Sequence, residues 1–112
     1  MTVKETAEKM RSILEDKKAR DIELIEVSEK TILADYFIIA SGTSVTHVKS
    51  LADELTFQMK DQHGIVPNHT EGESTARWIL LDYGDIIIHL FHPEEREFYS
   101  LEKLWQMSRT RS

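Results

Sequence analysis

Cysteine is absent from the 112 residues. That removes disulfides, thiolate metal sites and a cysteine nucleophile, and it suits a reducing compartment. Proline occurs twice and glycine four times, and neither marks out a linker, a repeat or a low-complexity tract. At this length, with 40% hydrophobic residues, the expectation is one domain over residues 1–112 around a single core. No apolar run approaches the roughly 20 residues that span a bilayer. The N-terminus, with Lys4, Glu5, Glu8 and Lys9, lacks the apolar stretch of a signal peptide and the Arg- and Ser-rich character of a transit peptide, so a soluble, cytoplasmic protein is expected. Positive charge is also short: 14 basic against 20 acidic residues give a formal charge of -6. Such a surface repels phosphate backbones and lacks the footprint of a direct nucleic-acid binder. A basic protein partner suits it better.

What is present divides into recognisable elements. Thr2 with Glu5 fits a capping box, and Ala7, Met10, Ile13 and Leu14 follow at helical spacing, predicting a helix over about residues 3–17. Between Asp21 and Val27, Ile22 and Leu24 alternate with Glu23, Ile25 and Val27, which predicts a partly exposed strand. The more continuous apolar run Asp35–Ser41 predicts a central strand covered on both faces over part of its length. After Gly42-Thr43-Ser44, the positions Val48, Leu51, Ala52, Leu55 and Met59 predict a long amphipathic helix stopping near His63-Gly64. Residues 65–76 read mainly as loop, with room for a short edge strand. Pro93 opens a helical turn through Glu97, and Leu101, Leu104 and Trp105 mark a short closing helix. The order implies an α+β or α/β two-layer sandwich: a mixed sheet with its helices mainly on one side. The Asp35 strand is expected to connect through the long helix to the Trp78 strand by a parallel crossover.

The segment Arg77–Phe91 reads as two apolar strands folded about an acidic tip, Asp82-Tyr83-Gly84-Asp85. A Tyr83-Gly84 loop sets Asp82 opposite Asp85 and Trp78 opposite His89. Alternation then gives an aliphatic core face of Ile79, Leu81, Ile86, Ile88 and Leu90. The other face carries Trp78, Leu80, Asp82, Asp85, Ile87, His89 and Phe91, a mixture of aromatic, aliphatic and acidic groups suited to binding a protein. For the two aspartates, turn chemistry and recognition of a partner's cation both remain open. Carboxylates placed opposite one another repel unless a cation approaches.

Catalytic and metal readings are weaker. The Gly42-Thr43-Ser44 turn could offer helix-start amides to an anion, but it lacks a Walker lysine and the repeated glycines of a dinucleotide fingerprint. A plain turn with Ser44 or Thr43 as helix cap explains it. The turn resembles the glycine-serine turn of nucleotidyltransferase-like folds. In an active member, paired acids on a later strand would hold magnesium, whereas this chain has Trp78-Ile79-Leu80-Leu81. The expectation is a nucleotidyltransferase-like core without catalytic acids: not an enzyme, and with no cofactor and no metal. The alternative is a nucleotidyltransferase-like enzyme or a nucleotide-binding protein. Asp85 and His89 lie roughly 13 Å apart along a strand, too far to share ligand bonds of about 2 Å.

Asp21-Ile22, the run Ala34–Ser44 with His47, Glu71-Gly72 and Trp78 form a pattern with Asp82, Gly84-Asp85, His89, Phe91, Arg96, Phe98-Tyr99, Leu101-Glu102 and Leu104-Trp105. In that order and over nearly the whole chain, the sequence resembles the ribosomal silencing factor, or Iojap, family. The resemblance implies a mixed sheet flanked by helices and a factor that binds the large ribosomal subunit through ribosomal protein L-fourteen. Joining of the small subunit would thereby be blocked and translation lowered when nutrients are scarce. It also implies a homodimer when free; the net charge and the lack of a spanning apolar run add the expectations of no direct nucleic-acid specificity and no membrane partner. Trp78 matches the family position for the ribosomal protein contact, with Leu81, Asp82 and Tyr83 beside it; the alternation of the hairpin adds Leu80, Asp85 and His89 from the Trp78 face, and Glu102 is expected to join Asp82 and Asp85 in facing a partner's Lys or Arg. Alternation puts Leu81 on the opposite face from Trp78.

Overall fold

The computed structural model of the protein describes residues 1–99. Helix α1 spans Val3–Asp16, begun by the expected capping box: the Thr2 hydroxyl accepts from the Glu5 amide and the Glu5 carboxylate accepts from the Thr2 amide. Those bonds satisfy two amides that a helix start otherwise leaves unpaired, and they hold the Glu5 carboxyl below its ordinary pKa. Strand β1 runs Arg20–Glu26 and β2 runs Tyr36–Ser41. Ser44 caps α2, Val45–His63, which ends at Gly64 in the left-handed region, φ 66°. A short β3, His69–Glu71, lies within the segment read as loop, followed by β4, Trp78–Asp82, β5, Ile86–Phe91, and α3, Pro93–Tyr99. The closing helix expected around Leu101, Leu104 and Trp105 lies outside the described residues.

The strands form one mixed sheet in the order β1-β2-β5-β4-β3. Among the described residues, only β2 and β5 pair in parallel; β1 with β2, β5 with β4 and β4 with β3 are antiparallel. This corrects the expected crossover, because the parallel partner of β2 is β5 and not the Trp78 strand. From β2 the chain crosses along α2 to the far edge at β3 and returns through the β4–β5 hairpin. Strand β5 is the better central neighbour because it is buried along nearly its whole length, whereas β4 alternates between buried and half-buried positions.

One face of the sheet meets the helices. Ala7, Met10, Ile13 and Leu14 of α1 and Val48, Leu51, Ala52, Leu55 and Met59 of α2 pack with Ile38, Ala40, Ile79, Leu81, Ile86, Ile88 and Leu90. The helix positions are the apolar stripes read from helical spacing, Ile79, Leu81, Ile86, Ile88 and Leu90 are those that alternation assigned to a core, and burying each large aliphatic contributes about 1.5–3 kcal/mol. The opposite face holds a second cluster of Ile25, Val27, Ala34, Phe37, Ile39 and Phe91, with Trp78 and Ile87 packed against it. On that side Arg96 of α3 donates to the Ser41 hydroxyl at 3.1 Å. Arg77, just before β4, pairs with Glu95 at 2.7 Å and Glu94 at 3.4 Å. These bonds tie α3 to the sheet.

Candidate functional site

The hairpin register decides which side chains can act together. Trp78 lies opposite Phe91, Leu80 opposite His89 and Asp82 opposite Ile87, two residues away from the expected pairing. The loop is Gly84-Asp85, closed by the Tyr83 amide donating to the Ile86 carbonyl at 2.9 Å. The cause is local. A tight hairpin whose first loop residue has positive φ favours glycine there, and Gly84 has φ 87°. A Tyr83-Gly84 loop would place tyrosine at that position. A slip of two leaves the faces unchanged, so the division into two faces stands, but the second face is itself largely covered, with Phe91 and His89 buried. The expected opposition of Asp82 and Asp85 does not. Asp82 instead accepts from the Gly84 amide at 2.8 Å and shapes the turn, while Asp85 is exposed at the tip.

With this register an aromatic cluster forms around Trp78. Its ring lies 4.9 Å from Phe91 and 5.9 Å from His89. His89 meets Phe37 edge-on at 5.3 Å and stacks with Phe91 at 6.2 Å. The Trp78 indole N–H donates to His89 Nδ1 at 3.1 Å. An indole nitrogen only donates, so Nδ1 accepts and the imidazole is neutral. Burial pushes the His89 pKa down to about 4, because charging the ring there forfeits its hydration. His89 is 6% exposed, so it seats Trp78 and does not itself offer a contact; this corrects its expected place among the presented groups.

Tyr83 is corrected too. It packs against the helical core and lines a cleft of about 240 Å³ with Met1, Val3, Thr6, Met10 and Ile65. Its hydroxyl is buried and has no hydrogen-bond partner among the described residues, and burial raises its pKa to about 12. Tyr83 therefore lies on the helical side, away from Trp78. Trp78, Leu80 and Asp82 share the other face at intermediate exposure, whereas Asp85, exposed at the tip, also lines the Tyr83 cleft. Glu102 lies outside the described residues.

Sequence reasoning missed Phe37 as a member of this cluster and Phe91 as the direct neighbour of Trp78. Alternation had put Phe91 on the right face. Only the parallel pairing of β2 with β5, which sets Phe37 beside Ile87 and Ile39 beside His89, brings Phe37 in.

The turn into α2 has its own accounting. The Gly42 amide donates to the Phe91 carbonyl, the Thr43 amide to His47 Nδ1 and the His47 amide to the Ser44 hydroxyl. His47 Nε2 meets the Lys17 carbonyl at 2.9 Å, linking the end of α1 to the start of α2. These amides serve the fold. Among the described residues, no group of three or more His, Asp or Glu side chains is placed to hold a metal, and no helix is long and apolar enough to cross a membrane.

The architecture matches solved structures closely. A crystal structure of a Chromobacterium violaceum protein superposes with a TM-score of 0.90 at 33% identity, covering 95% of this chain and 88% of that one. A Bacillus halodurans crystal structure gives 0.81 at 36% identity, covering 91% and 94%. The chain is thus of the class of small α+β domains with a five-stranded mixed sheet. A family model described as "Ribosomal silencing factor during starvation" matches residues 1–112, and the chain belongs to that family. Among its relatives, the ribosomal silencing factor RsfS of Bacillus subtilis is 43% identical over 81% of this chain and 76% of its own length. That of Zymomonas mobilis is 47% identical over 82% and 68%. A mouse relative named "Mitochondrial assembly of ribosomal large subunit protein 1" is 38% identical over 86% of this chain and 43% of its own.

Proposed function

We propose that this protein binds the large ribosomal subunit through a basic ribosomal protein, L-fourteen by the family resemblance, and sterically prevents the small subunit from joining, so lowering translation when nutrients are limiting. The observation that carries the reading is the Trp78 face: an aromatic ring seated by His89 and Phe91, with Leu80 beside it and Asp82 beyond. An indole anchored by its own N–H presents apolar area at little entropic cost, and tryptophan is enriched among residues that dominate binding energy. The flanking carboxylates and the charge of -6 complement a basic protein and make phosphate contacts unnecessary. The names of the bacterial relatives and of the mouse relative point to the ribosome and its large subunit. In the same reading the contact comprises Trp78, Leu80, Asp82 and Asp85, the free protein is a cytoplasmic homodimer, and it performs no catalysis.

Sucrose-gradient sedimentation of purified large and small subunits tests this. With the protein added, the joined peak is expected to fall while the protein travels with the large subunit. Trp78→Ala is expected to weaken that cosedimentation by about 1 kcal/mol or more, in the range of interface anchors, while the domain stays folded. Undiminished cosedimentation of the folded variant would remove Trp78 from the contact.

A further inference from the structure

Two adjacent aliphatic side chains stand in solvent on the loop between β1 and β2: Ile32 is 103% exposed and Leu33 75% exposed. The loop that carries them is tightly built. The Val27 amide donates to the Asp35 carbonyl at 2.8 Å, and the Lys30 and Thr31 amides both donate to the Val27 carbonyl. The Thr31 hydroxyl accepts from the Leu33 amide at 3.1 Å, and Ala34 is buried as a peg. The backbone thus holds Ile32 and Leu33 outward. Solvated loops ordinarily place polar residues there, and adjoining exposed apolar side chains mark contact sites.

The loop is joined to the hairpin tip. The Asp35 and Tyr36 amides donate to the Asp85 carbonyl at 2.8 and 3.1 Å, and Glu26 pairs with Tyr36, which pairs with Ile86. Glu26, Glu29, Asp35, Asp82 and Asp85 therefore lie at the same end of the sheet as the aliphatic pair. The one base in these two segments is Lys30, whose ammonium is buried, with no hydrogen-bond partner among the described residues. This end presents carboxylates.

We propose that Ile32 and Leu33 extend the protein-contact surface from Trp78, Leu80 and Asp82 onto the β1–β2 loop, and that the surface receiving them is a basic protein with an apolar depression between its lysines or arginines. The inference rests on the ribosome-binding reading and adds a second apolar anchor to it. The charge selects this occupant. RNA and an anionic membrane would set phosphates against the carboxylates, and a second copy meeting loop to loop about a two-fold axis would set carboxylate against carboxylate. A basic protein relieves them and buries the aliphatic pair.

The double variant Ile32→Ser with Leu33→Ser changes exposed side chains, so its melting temperature is expected to match wild type. Its cosedimentation with purified large subunits should weaken at least roughly tenfold, the lower bound expected when two aliphatic contacts are lost. A photo-crosslinking residue at Leu33 should join to a protein of the large subunit. Unchanged affinity in the double variant, with Trp78→Ala still weakened, overturns the loop and leaves the ribosome reading intact. Absence of large-subunit binding by wild type overturns that reading and this inference together. Crosslinking to ribosomal RNA or to a second copy of the chain also overturns the inference.

Discussion

At the scale of single residues, His89 couples stability to pH. Its pKa is about 4 when folded, against about 6.5 for an unfolded histidine. The unfolded chain therefore takes up a proton as pH falls through 6.5, while the folded chain resists until about 4. His89 stability is fully present above pH 6.5 and is lost progressively between 6.5 and 4, a contribution of roughly 3 kcal/mol. Protonating Nδ1 would also end its acceptance of the Trp78 N–H. His89→Gln keeps an acceptor and cannot titrate. Urea unfolding between pH 7 and 4 should give a distinctly flatter decline for this variant than for wild type; parallel declines would show that His89 is not the titrating group. Trp78 and His89 were both named from the sequence, but their roles were not separable there. Alternation places them on one face without saying which one that face covers.

At the scale of elements, the hairpin shows what local chemistry does and does not specify. Both strands, their faces and the acidic tip were legible, because a period of two and a glycine beside an aspartate are local signals. The register was not, since it turns on which loop residue takes positive φ. A second glycine seats the other end of β4. Gly72 has φ 85°, and a methyl added there would run into the Trp78 carbonyl oxygen. Gly72→Ala combines that overlap with a left-handed backbone, so a loss of at least about 2 kcal/mol is expected, measured as a lowered denaturation midpoint. A loss below about 0.5 kcal/mol would mean that the β3–β4 connection yields freely and does not fix Trp78. Helix α2, by contrast, was readable almost to the residue, because Ser44 and Gly64 terminate it by their own chemistry.

For the whole molecule, charge governs encounter. With a net charge of -6 and carboxylates gathered at the hairpin end, association with a basic protein surface should be steered electrostatically. Raising ionic strength from about 0.05 to about 0.5 M shortens the screening length severalfold. The association rate with large subunits should then fall several-fold while dissociation changes little, as followed by stopped-flow fluorescence of a labelled protein. A salt-insensitive association rate would place the carboxylates outside the contact. The apolar anchor carries no such dependence, so the two contributions can be told apart in one titration.

Caps, helical and strand periodicity and turn residues act over a few positions, and each carries its own stereochemistry, so every helix and strand described except β3 could be read locally, with its faces. The sequence also carried the family pattern, which is spread over many short matches. The assembled fold was needed to show that β5 and not β4 lies beside β2, that Tyr83 turns toward the helices, that His89 is buried beside Trp78, and that the loop bearing Ile32 and Leu33 meets the hairpin tip. Each of these is a relation between segments distant in the chain. Burial of both faces of β5, the parallel β2–β5 ladder and the bonds to the Asp85 carbonyl select among arrangements that local patterning leaves equivalent.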